Sequence, residues 1–349
     1  MRILIVKLSS IGDAVHTLPA AALLRRSLPD AHISWVVERR ASAILKGSTV
    51  IDELIEIDSR TWRKHLFSNS TKNDIHEKLN LVKGVDLAID FQGLIKSGLV
   101  AFASKARRRI GFETAELREK ASRLFLTEQI SASGIKHIID KNIALARAAF
   151  ESNNDLQKLV TPADYEFPIS VSCEDESYID DITGDQKNFA ILNPGGGWPT
   201  KMWPAERFGQ IADWLWDEYN MRSFVTYGPD EESLAGSVAN ASQSGRARVI
   251  ASTLKQFVAL ARRASLFVGG DTGPLHIAAA CRTPIVGLYG PTSPERNGPF
   301  DARDVTVGLD LWCRPDCHRR NCWHWECMNM SVSTVRRAIA TRLGAGKTS

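Results

Sequence analysis

Short apolar runs alternate with longer helix-like segments along the chain. Ile3-Leu4-Ile5-Val6 is followed by a helix-like stretch over 14–28 and a strand-like run over 33–37, and a strand over 85–91 precedes a helical segment over 94–104. This alternation is the βαβ rhythm of a parallel sheet. The runs over 3–6 and 87–89 are apolar without clean alternation, as strands covered on both faces should be. The rhythm loosens at 160–172, "VTPADYEFPISVS", before an acidic patch over 174–185, and this is the best linker candidate. It then restarts with "NFAILNPGGG", "MRSFVTYGPDEE", "ARVIAS", "ASLFVGGDTGP" and "TPIVGLYGPTSP", each an apolar strand running into a Gly/Pro loop. The pattern predicts an α/β protein of two doubly wound halves, 1–172 and 173–349, facing each other across a cleft.

Length agrees, since 349 residues exceed the usual size of one domain. With 44% hydrophobic and 24% charged residues the composition is that of a globular chain and excludes a disordered or fibrous one. A net charge of +4 suits anionic ligands and falls far short of the dense basic stripes of a nucleic-acid binder. No apolar stretch is long enough to span a bilayer, and Arg2 and Lys7 precede no small-residue cleavage site, so a cytoplasmic protein is expected.

In open α/β sheets ligands bind at the carboxyl ends of the strands, so the loops there carry the candidate chemistry. After the first strand, "KLSSIGDAVHTLP" presents Asp13, which reads either as a helix-capping carboxylate or as a general base, with Gly12 allowing close approach to the backbone. "NPGGGWPTKMWP" offers Gly196 and Gly197, whose amides are open to phosphate oxygens, and Lys201 as a point charge for a diphosphate. The spacing is not that of a P-loop. In "GGDTGPLHIAAA", Asp271, Thr272 and Gly273 lead into a helix whose free amides and dipole favour an anion, and His276 can add a donor. Glu231 in "YGPDEES" can accept ribose hydroxyls, and a solvated acidic turn is the other reading. Arg60, Arg63 and Lys64 in "SRTWRKHLF" form a basic face that could hold a phosphorylated or carboxylated acceptor.

Cys313, Cys317, Cys322 and Cys327 crowd near the C-terminus. Tetrahedral zinc is chemically open to four thiols with His318 and His324 nearby, but the paired C-x2-C knuckles are missing, so structural zinc is not favoured. Trp312, Trp323 and Trp325 in the same stretch are expected to be buried.

Taken together, "RILIVKLSSIGDAVHTLP", "WVVE", "WRKHLFS", "DFQGLIKSG", "KMWP", "DTGPLHIAAA" and "LYGPTSP" make the chain resemble the ADP-heptose glycosyltransferase family. "WRKHLFS" and "DFQGLIKSG" look like its type I branch, whereas the cysteine-bearing tail looks like other branches. The resemblance implies a GT-B fold with two Rossmann-like domains and a last helix that crosses back to the first. It implies inverting transfer of L-glycero-D-manno-heptose from ADP-heptose to a Kdo residue of lipid A-linked lipopolysaccharide core, with no catalytic metal. Asp13 would be the base, and Gly196, Gly197, Lys201, Glu231, Asp271, Thr272, Gly273 and His276 the nucleotide-sugar site. Arg60, Arg63, Lys64 and Arg118 would meet the acceptor, and the protein would touch the inner membrane peripherally. A type II-like acceptor or another nucleotide sugar is the alternative.

Overall fold

The first unit, Met1–Ser170, is built on a six-stranded parallel sheet. Its strands are β1 (Arg2–Val6), β2 (His32–Glu38), β3 (Glu53–Ile57), β4 (Leu87–Asp90), β5 (Arg108–Phe112) and β6 (Glu128–Ile130). The order is β3-β2-β1-β4-β5-β6, the doubly wound order, with the direction of winding reversed between β1 and β4. Ile5 lies in register with Trp35 on one side and Ile89 on the other, and all three are fully buried. These strands are covered on both faces, which is why their apolar runs do not alternate. The protein is described by a computed structural model covering residues 1–150, 161–313, 317, 322, 323 and 325–344 of the chain.

Helices α1 (Ile11–Ser27), α2 (Arg39–Ser42), α3 (Ser59–Lys64), α4 (Asn69–Leu81), α5 (Ile95–Ala103) and α6 (Ile138–Arg147) connect and cover this sheet. Helix α1 begins three residues before the helix read from the sequence. Ser10 is its N-cap, and the Asp13 carboxylate accepts from the Ser10 amide, so Asp13 lies in the first turn, where the capping reading puts it. His16, on the same helix, is a core imidazole set edge-on to His137.

The second unit, Val171–Ser349, repeats the scheme. Its strands are β7 (Phe189–Asn193), β8 (Arg222–Thr226), β9 (Ala247–Ile250), β10 (Leu266–Gly270), β11 (Ile285–Leu288) and β12 (Val305–Val307), ordered β12-β11-β10-β7-β8-β9. Its switch point therefore falls between β7 and β10. The acidic patch is not linker but helix α7 (Cys173–Thr183), followed by α8 (Ala205–Tyr219), α9 (Glu232–Ala241), α10 (Leu254–Arg263), α11 (Gly273–Ala280), α12 (Pro294–Asn297) and α13 (Val332–Gly344).

Helix α13, for which the resemblance implied a crossing, packs on β11, β12 and α8 of its own unit through Val335, Ala338 and Ile339. A buried ion pair holds it there: Arg342 Nε donates to Asp304 Oδ1 at 2.7 Å, and the same oxygen accepts from the Ile285 amide. The tail does not bury its tryptophans as expected. Trp312 and Trp323 are 87% and 89% exposed, whereas Cys327, Met328 and Met330 lie in the core of the second unit.

Candidate functional site

In the first unit the chemistry gathers at the carboxyl ends of β1 and β4. Lys7, directly after β1, is 3% exposed; its ammonium donates to the Phe91 carbonyl at 2.8 Å and lies 3.6 Å from Asp13 Oδ1. Asp13 Oδ2 accepts from the Ser10 amide at 2.7 Å and its hydroxyl at 3.1 Å, while the side chain stays 37% exposed. The carboxylate is thus a capping group that stays accessible: the helix start and Lys7 hold it. The two readings of Asp13 are compatible.

The segment leading into α1 is held from β4. Gln92 Oε1 accepts from the amides of Leu8 and Ser9 at 3.0 and 3.1 Å. Asp90, fully buried, accepts from the amides of Gln92 and Gly93 and from the Ser97 hydroxyl. Burial is the largest influence on this carboxyl and lifts its pKa to about 6, against those hydrogen bonds and the charge of Lys7. Lys7, Asp90, Gln92 and Ser97 were not singled out from the sequence, although "DFQGLIKSG" contains three of them. A raised native pKa makes the stabilising contribution of Asp90 complete below about pH 4, and that contribution is lost as pH rises through about 6. We expect the stability of the parent, relative to Asp90→Asn, to fall by on the order of 2–3 kcal/mol between pH 4 and 7. Urea unfolding of both proteins across that range checks it, and parallel stability curves would contradict it.

Arg60, Arg63 and Lys64 lie exposed on α3, whose start is held by Glu38: its carboxylate accepts from the Ser59 amide and hydroxyl, and from Lys96 at 3.1 Å. Arg118 is exposed on the segment after β5, which the Glu119 amide ties to the Gly93 carbonyl.

In the second unit Lys201 is buried. It is 8% exposed, and its ammonium donates to Asp271 Oδ2 at 2.6 Å and to the Asp271 carbonyl at 2.9 Å, 4.4 Å from the centre of the Trp198 ring. Asp271 also accepts from Asn297 at 2.8 Å and faces His276 Nε2 at 3.2 Å. Burial works to raise the Asp271 pKa, but the hydrogen bond and charge of His276, followed by those of Lys201, outweigh it and hold the carboxyl well below the usual carboxylate range. Thr272 caps α11 with extended backbone, so the amides of its first turn open beside this cluster.

The glycine loop lies against the same cluster. Gly197 is exposed with φ +71°, a conformation that favours glycine, and a Cβ on Gly196 would come within 2.5 Å of Met202 Cγ. Sequence reasoning overlooked Gly195, where a Cβ would collide with the Glu231 carboxylate. Glu231 itself accepts from the Gly228 amide at 3.0 Å. Beside it, at the ends of β8 and β9, a cavity of about 630 Å³ is lined by Tyr178, Tyr227, Pro229, Ser252 and Gln256. Lys201, Asp271, Thr272, Gly273 and His276 therefore come together, with the glycine loop and Glu231 alongside.

Burial, followed by the charges of Cys313, Cys317 and Cys322, pushes the Cys327 thiol up. Among the described residues no group of three or more His, Cys, Asp or Glu side chains is arranged to hold a metal; His318 and His324 lie outside them. Among the described residues no helix is long and apolar enough to cross a membrane.

The profile of glycosyltransferase family 9 (heptosyltransferase) matches residues 78–324. Lipopolysaccharide heptosyltransferase 1 of Pseudomonas aeruginosa is 28% identical over 345 residues, spanning 92% of this chain and 87% of that protein. In fold, the chain is similar to the Escherichia coli heptosyltransferase WaaC solved with ADP-2-deoxy-2-fluoro heptose (TM-score 0.77, 22% identity, 97% of this chain and 99% of that one). It is equally similar to the E. coli ADP-heptose lps heptosyltransferase II (TM-score 0.75, 21% identity, all of both chains). Two doubly wound sheets in this order are the GT-B fold. The chain belongs to glycosyltransferase family 9, the heptosyltransferases.

Proposed function

We propose that the protein transfers L-glycero-D-manno-heptose from ADP-heptose to a Kdo residue of the lipopolysaccharide inner core, with inversion at the anomeric carbon. The observation that carries the reading is the buried Lys201–Asp271–His276 cluster at a helix start of the second unit, and the oriented, accessible Asp13 carboxylate of the first unit supports it. The acceptor oxygen bonds to the anomeric carbon, its proton passes to Asp13, and the bond from that carbon to the diphosphate oxygen breaks. The charge released onto ADP is met by the first-turn amides of α11, by Lys201 and by His276. No metal is required in this reading.

Asp271 acts here as a positioning residue. Its carboxylate is directed at Lys201, His276 and Asn297, which suits orienting cations and does not suit touching an anionic diphosphate. Glu231 accepts the ribose hydroxyls, and the cavity beside it has room for the purine. Arg60, Arg63, Lys64 and Arg118 meet the carboxylates and phosphates of the acceptor.

The 28% identity to heptosyltransferase 1 supports the general reaction, and the type I acceptor is read from "WRKHLFS" and "DFQGLIKSG". The fold does not separate the types, since a type II structure is matched about as well. The test is to offer ADP-heptose with Kdo-bearing lipid A and, separately, with the same acceptor already carrying one heptose. Addition to the first alone is expected; addition to the second alone would assign a type II activity.

A further inference from the structure

The described part of the first unit carries an apolar stripe that its own core does not use. On α5, Ser97, Gly98, Val100 and Ala101 face inward, whereas Ile95, Leu99 and Phe102 are 40%, 49% and 56% exposed. Their spacing of four and three places them on one helical face. The neighbouring 3-10 turn, Lys120–Phe125, packs on α5 through Phe125, whose ring lies edge-on to Phe102 at 6.0 Å, and it leaves Leu124 73% exposed. Four large apolar side chains on two packed elements exceed the scattered singles of an ordinary surface.

The charges around this stripe are nearly all of one sign. Lys105 and Arg107 are exposed just beyond the C-terminal end of α5, and Arg118, Lys120 and Arg123 are exposed on and before the turn. The acid among them, Glu119, is engaged with the backbone: its carboxylate accepts from the Ile95 amide at 2.7 Å. Apolar side chains rimmed by Lys and Arg match a surface that is anionic at its headgroups and apolar just beneath.

We propose that this α5 face docks the first unit onto an anionic phospholipid bilayer. The placement serves the site. The stripe starts three residues after Gln92, which holds the segment leading into α1, and the Glu119 amide beside Arg118 bonds the Gly93 carbonyl. A lipid-anchored acceptor would then enter from the surface on which the enzyme rests. The proposal deepens the heptosyltransferase reading and rests on it for the identity of the acceptor, but vesicle binding is read without the reaction.

The experiment is cosedimentation of the full chain with vesicles of phosphatidylglycerol and phosphatidylethanolamine, and with vesicles of phosphatidylcholine alone. The parent is expected to bind the anionic vesicles, less so at high salt, and the phosphatidylcholine vesicles poorly. The L99S/F102S double variant is expected to bind the anionic vesicles about tenfold or more weakly, with an unchanged thermal midpoint and unchanged turnover on a soluble, de-acylated acceptor. Parent-like sedimentation of that variant would overturn the proposal, as would loss of de-acylated turnover in step with binding. Loss of binding in Phe67→Ser, which alters the exposed tip after α3, with binding intact in L99S/F102S, would overturn it as well. Weakened binding by L99S/F102S in a protein that turns over no heptose donor would support the docking face and contradict the reaction.

Discussion

Replacing Asp13 by asparagine is expected to lower turnover by about 100- to 10,000-fold while the affinity for ADP-heptose stays within about twofold. Asparagine is the informative substitution because Asp13 has two roles. Its Oδ2 accepts from the Ser10 amide, and an amide oxygen can keep that bond and the start of α1. Alanine would remove the base and the cap together, adding about 1 kcal/mol of lost stability that obscures the catalytic effect. An amide also cannot take the acceptor proton, so the loss should appear in kcat. Steady-state kinetics with calorimetric titration of donor separates the two parameters. Parent-like turnover in the asparagine variant would remove Asp13 as the base and leave it a capping residue.

The second large effect is expected at Lys201. Changing Lys201 to methionine keeps much of the side-chain volume but leaves the buried Asp271 carboxylate without its 2.6 Å partner. Breaking one side of a buried pair costs about 3–5 kcal/mol, although His276 and Asn297 still face Asp271 and place the expectation at the lower end. The same change removes a cation at the start of α11 and should weaken ADP binding. Because stability and affinity both fall, the double variant K201M/D271N is needed. With the carboxylate also neutralised, much of the stability should return while ADP binding stays weak. Recovery of ADP affinity in that double variant would show that Lys201 serves the fold alone.

The sheet cores were readable because strands buried on both faces appear as uninterrupted apolar runs, as in Ile3–Val6 and 189–192. The loops of the site were readable for a related reason: "SSIGD", "PGGG" and "DTGP" follow such runs directly and must lie at strand ends. What the sequence hid are contacts made across long separations. Lys7, Leu8 and Ser9 are held by Phe91 and Gln92, more than eighty residues away, and nothing local marks those partners. The meeting of Gly195 with Glu231 depends on the adjacency of β7 and β8 in the sheet, which a linear reading does not place. Lys201 looks like a solvated lysine in "PTKMWP", and its burial becomes apparent only when Asp271 arrives from β10. The start of α1 was set three residues late although Asp13 was read as a helix-capping carboxylate, because the Ser10 N-cap that goes with it was not used to place the first turn. The tail tryptophans were misjudged because size suggested burial, whereas Met328 and Met330 occupy that core.

The most direct measurement of the central claim is ADP release by the purified protein, followed together with the mass of the acceptor, when ADP-heptose and Kdo-bearing lipid A are supplied. The account expects ADP to form only when both substrates are present, with one heptose added for each ADP released. ADP formation at the same rate without acceptor, or heptose-free acceptor after prolonged incubation with a donor that binds, would contradict it.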